Sequence, residues 1–82
     1  MQINKLQDLY EITDTYKNQE VSGNVTISSD STIINLTIGG KEAFCNLFPS
    51  NDSFGINITI EQFDPDLINY LIDIANTFIN QN

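Results

Sequence analysis

Hydrophobic positions near the start of the chain recur at spacings of three and four residues. They are Ile3, Leu6, Leu9, Tyr10, Thr13 and Tyr16. Such spacing places side chains on one side of an α-helix, and Asn4 followed by Gln7 has the pattern of a capping box. The pattern therefore predicts an N-terminal helix over residues 4–16, with Asp8, Glu11 and Asp14 on its solvated side.

The middle of the chain changes to a period of two. Val21, Gly23, Val25 and Ile27 alternate with polar residues, which predicts a half-buried strand. Residues 29–31 have the composition of a turn.

A hairpin is predicted where the next alternating segment reaches Gly39-Gly40, a dipeptide suited to a two-residue turn with positive φ. Such a turn fixes the pairing of the two strands. It sets Ile38 opposite Lys41, Leu36 opposite Ala43, Ile34 opposite Cys45 and Thr32 opposite Leu47. Because the inner pairs are all apolar, the turn chemistry and the hydrophobic pattern agree.

Two further elements are predicted after residues 49–53, where the apolar run is broken. Residues 55–60 alternate as a last strand with its isoleucines on one face. Asp64 can then cap a helix that has Pro65 at its first position. The apolar side of that helix is wide. It contains Leu67, Ile68, Leu71, Ile72, Ile74, Ala75, Phe78 and Ile79.

These elements predict a single α+β domain over residues 1–82. Its parts are an N-terminal helix, an antiparallel meander sheet of three to four strands, and a C-terminal amphipathic helix packed on the sheet. If both helices cover one face, the other face would show Ile33 and Phe44, with Phe48 as a further candidate. An exposed apolar patch of this kind usually marks an interface.

The composition limits the chemistry. The 82 residues include no His, Arg or Trp, one Cys, and eleven Asp or Glu against three Lys, a net charge of −8. Without His the usual general base is missing, so we expect a protein that is not an enzyme. A single Cys excludes an internal disulfide and a zinc site of nitrogen and sulfur ligands, and we expect no metal and no cofactor.

The same inventory bears on partners and location. Three lysines are too few for a phosphate-binding patch, so direct nucleic-acid binding is not expected. No apolar run has the length of a signal peptide or membrane span, which predicts a cytoplasmic protein without membrane contact. Cys45, on the inward side of its strand, is expected in the core, and the acids near residues 61–66 are expected to cap the helix rather than bind metal.

The acidic residues have two interpretations: they keep a small domain soluble, or they form an interaction surface. Duplex DNA carries one charge per ~1.7 Å, so imitating both strands over roughly 30 Å needs on the order of eighteen charges. Eleven acids exclude a full mimic but allow a local one, aimed at a partner's Arg and Lys. The candidate partner-binding residues are Asp14, Glu20, Asp30 and Glu42, with Ile33 and Phe44 as an apolar anchor.

Several segments resemble the small acidic anti-CRISPR proteins of type II-A systems: residues 1–6, the strand start Val21-Ser22-Gly23, the hairpin over residues 33–42 and the late apolar helix. Those are phage-encoded inhibitors that occupy the surface through which DNA enters the RNA-guided nuclease. The resemblance implies that Glu42 takes the place of an acid after the family's second hairpin turn. It also implies a phage or mobile-element protein that blocks a bacterial defence factor by stoichiometric binding in the host cytoplasm.

Two alternatives remain open at the level of the sequence. One is a homo-oligomer, such as a homodimer, that traps a signalling nucleotide between protomers. The other is a small virion assembly protein, for which self-association without inhibitory activity would be the sign.

Overall fold

The computed structural model describes residues 1–50 and 53–79 as one antiparallel sheet covered on one face by one helix. Each strand pairs with the next strand of the sequence, so the order across the sheet is the order along the chain. The elements are β1 Gln2–Leu6, β2 Leu9–Tyr16, β3 Gln19–Ile27, β4 Thr32–Ile38, β5 Lys41–Ser50, β6 Ser53–Ile60 and α1 Pro65–Ile79.

The predicted N-terminal helix is wrong, because residues 4–16 fold as most of β1, a turn and β2. Ile12, outside the apolar set of the predicted helix, is only 1% exposed, since it lies between Ile3 of β1 and Gly23 of β3. The β-branched and aromatic residues of β2 fit a half-buried pleated surface, and cross-strand partners decide between the two periods. The predicted sheet of three to four strands is corrected to six.

The predicted central hairpin is confirmed in its register. Ile38 pairs with Lys41, Leu36 with Ala43, Ile34 with Cys45 and Thr32 with Leu47. The turn glycines have positive φ, 56° at Gly39 and 85° at Gly40, a conformation that glycine adopts without steric cost. The strand predicted around residues 21–27 is also confirmed as part of β3.

The predicted break over residues 49–53 is shorter in the structure, because β5 continues through Pro49 to Ser50 and β6 begins at Ser53. The rest of that predicted break, Asn51 and Asp52, lies outside the described residues. The last strand is confirmed and is two residues longer than predicted, Ser53–Ile60 against residues 55–60.

The start of α1 follows the predicted capping chemistry. Pro65 is the first helical residue, and the Asp66 amide donates to Asp64 Oδ1 at 3.0 Å. A side-chain oxygen in this position satisfies one of the amides that a helix leaves unpaired at its N-terminus. The helix therefore begins where the sequence predicts.

The core lies between α1 and the face of the sheet that it covers, which we call the covered face. Alternation along each strand sends every second side chain to this face. The buried residues are Ile12, Val21, Val25, Ile34, Leu36, Ile38, Ala43, Cys45, Leu47, Leu67, Leu71, Ile74, Ala75 and Phe78. All of them are apolar. The wide apolar side of α1 therefore packs on the sheet as the second layer of the fold. Cys45 is among the buried residues, as predicted.

Candidate functional site

The opposite face of the sheet, which we call the open face, has no element packed on it among the described residues. It is formed by the alternate residues of all six strands. The described ones are Gln2, Asn4, Leu6, Leu9, Glu11, Thr13, Thr15, Glu20, Ser22, Asn24, Thr26, Ile33, Asn35, Thr37, Glu42, Phe44, Asn46, Phe48, Ser53, Gly55, Asn57 and Thr59. Hydroxyls, amides and carboxylates dominate the set, so this is the solvated side of the meander.

The open face carries negative charge only. Glu11, Glu20 and Glu42 lie on β2, β3 and β5, and all three are exposed. The backbone of Glu61 continues the ladder beyond β6, donating to the Glu42 carbonyl at 3.1 Å, so two glutamates neighbour each other at one corner. Because like charges add, the potential at this face is negative.

The three lysines lie on the other side of the sheet or at its end. Lys17 forms ion pairs with Asp64 at 3.3 Å and Asp66 at 2.8 Å. Lys5 lies 5.9 Å from the centre of the Tyr10 ring, and Lys41 shares the covered face with its register partner Ile38. The fold therefore leaves the acids of the open face without a lysine neighbour on that face.

An apolar strip crosses the acidic surface along β4 and β5. Ile33, Phe44 and Phe48 are half-buried on the open face. The Phe48 ring covers Gly55 on β6, where a Cβ would lie 2.4 Å from the ring. Between the two phenylalanines, Asn46 has a buried Oδ1 with no hydrogen-bond partner among the described residues.

Two shallow grooves follow the open face. One of about 580 Å³ runs over β1 to β3 and includes Asn4, Glu11 and Ser22. The other, about 320 Å³, runs over β3 to β5 and includes Glu42 and Phe44. Their open shape suits an extended protein surface better than an enclosed small molecule.

Four of the six residues predicted to bind a partner, Glu20, Glu42, Ile33 and Phe44, share the open face. Asp30 lies apart, exposed in the turn between β3 and β4. Glu11 also belongs to the face but is not among the predicted partner-binding residues. The signal that could have found it is the alternation of Tyr10, Ile12, Asp14 and Tyr16 with polar neighbours.

Asp14 lies on the covered face instead, and its contacts there are internal. The Tyr70 hydroxyl donates to Asp14 Oδ2 at 2.6 Å, and the N-terminal amine lies 3.5 Å from Oδ1. The hydrogen bond from Tyr70 lowers the pKa of Asp14. Burial, followed by this bond to the carboxylate, raises the pKa of Tyr70. Asp14 therefore attaches α1 to β2, on the side of the sheet opposite Glu20 and Glu42.

We expect Tyr70→Phe to destabilise the fold by about 1–2 kcal/mol at neutral pH, because a partly buried carboxylate loses a charge-assisted hydrogen bond. The pKa of Asp14 is lowered in the folded state, so the contribution is complete above the unfolded value near 4 and fades as the pH falls through the folded value. Urea unfolding of wild type and variant at pH 7 and near pH 2.5 checks this: the difference should shrink in acid.

The matched control is Tyr10→Phe, which removes a hydroxyl that donates to no carboxylate in the described part of the chain. Its effect should be small and independent of pH. An equal destabilisation by both variants, or a Tyr70→Phe effect unchanged in acid, would contradict the role of the Asp14 pair.

A second polar cluster fastens the start of α1 to the β2–β3 hairpin. The Tyr16 hydroxyl donates to Asp64 Oδ2 at 2.8 Å, and Lys17 contacts the same carboxylate. The hydrogen bond from Tyr16 lowers the pKa of Asp64, and the hydrogen bond to Asp66 raises the pKa of Lys17. Positive φ at Lys17 and Asn18, 48° and 64°, forms the tight turn that brings this lysine to the helix. The contacts of this cluster hold the first turn of α1 against the β2–β3 hairpin.

The one thiol of the chain lies in the core. Cys45 is fully buried, and burial raises the pKa of its thiol to about 11. No group of three or more potential metal ligands occurs in the part of the chain that the structure describes. A cleft of about 190 Å³ beside the start of α1, lined in part by Ile38, Phe63 and Leu67, is smaller than the roughly 300–1,000 Å³ of typical ligand pockets.

Within the residues that the structure describes, no helix has the length and apolar character needed to cross a bilayer.

Comparison with known proteins finds no match among protein-family models, curated proteins or solved structures.

Proposed function

We propose that this protein binds, without catalysis, to a basic surface on a larger protein and thereby blocks that surface. The open face supports this proposal through one combination: acids on three strands, no lysine, and an apolar strip that includes Phe44. Negative potential guides the approach to a basic partner, while half-buried aromatic rings supply apolar contact. A merely solubilising role for the acids makes no prediction about which face the lysines occupy, whereas the proposed contact requires a face without them.

Basic protein surfaces are the ones that bind nucleic acids, since Lys and Arg neutralise phosphates. An acidic protein seated on such a surface competes with the nucleic acid without binding it. We therefore propose as the target a bacterial defence protein that handles nucleic acid, such as a CRISPR nuclease. The anti-CRISPR resemblance supports this target class. The hairpin of this chain that carries the resemblance, residues 33–42, contributes Ile33 and Glu42 to the open face.

The state of the nucleophiles supports a function without turnover. The Cys45 thiol is buried, and the hydroxyls of Tyr16 and Tyr70 donate to carboxylates. The pKa of Tyr16, like that of Tyr70, is raised, with burial as the first cause. Higher pKa values keep these groups protonated at neutral pH, where a nucleophile or base would need to lose its proton.

Charge reversal on the open face tests the proposal. We expect Glu42→Lys to weaken binding to a basic partner about tenfold or more, because it removes an attraction and adds a repulsion on the contact face. Wild type and variant serve as baits in lysate from a bacterial host, and captured proteins are quantified by mass spectrometry. A guide-loaded type II-A CRISPR nuclease is assayed directly for affinity and DNA cleavage.

Asp73→Lys is the matched control, since it makes the same change in net charge on the exposed outer side of α1. It should retain the partner that Glu42→Lys loses, and wild-type binding should weaken as salt rises. Equal loss with both variants would show that only net charge matters. No loss with either variant would place the contact elsewhere.

A further inference from the structure

Strand β6 is an edge strand without the usual protection against pairing. It bonds to β5 on one side only. Its eight residues, SFGINITI, include no charged residue and no proline, and its pairing with β5 is continuous from Ile60 to Ser53 without a bulge. Charges, prolines and bulges are the devices that keep natural edges single. The other edge, β1, has five residues and carries Lys5.

The ladder determines which backbone groups of β6 point outward. Glu61 N–H donates to the Glu42 carbonyl at 3.1 Å, and hydrogen-bonded pairs alternate along an antiparallel ladder. Residues 55, 57 and 59 therefore bond to β5 as well. The remaining residues, Phe54, Ile56, Ile58 and Ile60, direct their N–H and C=O groups away from the sheet.

We propose that two copies of this chain pair through β6, antiparallel about a twofold axis at Asn57, to form one continuous sheet. In this register Ile56 faces Ile58 of the partner subunit, and Phe54 faces Ile60 of the partner subunit. All the outward residues then bond across the axis, with roughly eight interchain hydrogen bonds. Moving the axis to Ile56 or Ile58 leaves an outward residue of β6 without a partner within β6 of the other copy.

Charge favours a second copy at this edge. Two chains of charge −8 repel each other over most of their surfaces, but β6 is neutral along its whole length. In the proposed register Glu61 falls opposite Ser53 of the partner subunit, so no like charges face each other among the described residues of the two edges. Phe54 and Ile56, 62% and 41% exposed in the single chain, become covered.

A twofold contact is closed, so pairing stops at the dimer. The side chains keep their faces, which places both open faces on the same side of the joined sheet. The dimer is independent of the proposed function, because it is measured without any partner protein.

Cross-linking at the axis is the decisive experiment. In Asn57→Cys the two thiols would sit in a non-hydrogen-bonded pair, with Cα atoms about 4.5 Å apart, within disulfide range. In Thr59→Cys, on the same strand and face, they would be roughly 13 Å apart. Mild oxidation should convert most of the first variant into a disulfide dimer and leave the second unlinked, as read on non-reducing gels.

Sedimentation velocity tests the same edge without cysteine chemistry. Wild type should sediment with twice the mass of the chain, and Ile56→Lys should raise the dimer dissociation constant about tenfold or more by adding a charge to the edge. Gln2→Lys adds that charge at the opposite edge and should leave the dimer intact. Far-UV circular dichroism of each variant checks that it is folded.

A monomeric wild type would overturn the proposal. A dimer that survives Ile56→Lys, or one that cross-links at residue 59 but not at residue 57, would also overturn it, since either result requires another surface or register.

Discussion

Replacing Phe78 with alanine is expected to leave the domain largely unfolded at room temperature. Phe78 is 0% exposed and meets the Tyr10 ring edge-on, with ring centres 5.2 Å apart. Removing a buried Phe costs about 3–5 kcal/mol. A domain of this size rarely has more than ~3–5 kcal/mol of stability in total. One substitution at the end of α1 can therefore remove nearly all of the net stability.

Far-UV circular dichroism against temperature and urea measures the effect. Phe63→Ala is the control, because Phe63 is 76% exposed and its loss should change the free energy of unfolding by less than about 0.5 kcal/mol. A cooperative transition for Phe78→Ala close to that of wild type would show that α1 contributes little to the core.

The features that the sequence predicts correctly are those set by local chemistry. Gly39-Gly40 supplies the positive φ that a two-residue turn requires, and one turn then fixes the register of a whole hairpin. Asp64 and Pro65 likewise define a helix start through groups within a few residues of each other. Neither depends on distant parts of the chain.

The N-terminal region shows why the remaining elements could not be predicted. Its apolar residues fit both a helix and a strand, and the choice depends on pairing with β3 and on contacts with α1, where Tyr70 lies 56 residues from its partner Asp14. Its turns also lack glycine: positive φ falls on Gln7, Lys17 and Asn18, of which only Asn favours that conformation. Without a recognisable turn, the hairpins that begin the sheet are not visible in the sequence.

The incorrectly predicted N-terminal helix also explains why only some of the predicted partner-binding residues share one face. Ile33 and Phe44 lie on strands whose alternation predicts their shared face, whereas Glu20 lies outside the predicted strand and joins that face only in the structure. The predicted helix places Asp14 and Glu11 on one side, whereas in β2 they lie on opposite faces of the sheet. Asp14 faces Tyr70, and Glu11 faces solvent, where its Oε1 accepts a 3.4 Å bond from Asn4.

Replacing Gly23 with alanine is expected to destabilise the sheet at its centre. A Cβ at Gly23 would lie 2.0 Å from the Asn35 carbonyl oxygen and 2.8 Å from the Leu36 Cα. Both atoms belong to the β4 backbone, so relief requires β3 and β4 to separate and weaken their ladder. Overpacking of this kind costs about 1–3 kcal/mol or more, and each kcal/mol lowers the Tm of a domain this size by about 4–8 °C.

Gly55→Ala provides the matched comparison, since its Cβ would meet the Phe48 ring, a side chain that can rotate away on the open face. Calorimetry should show a clearly smaller fall in Tm for this variant. An equal fall in Tm for both variants would mean that a clash with the β4 backbone costs no more than a clash with a movable side chain. The expected difference would show that the close approach of β3 and β4 requires glycine in the middle of the meander. No local pattern in the sequence predicts this requirement.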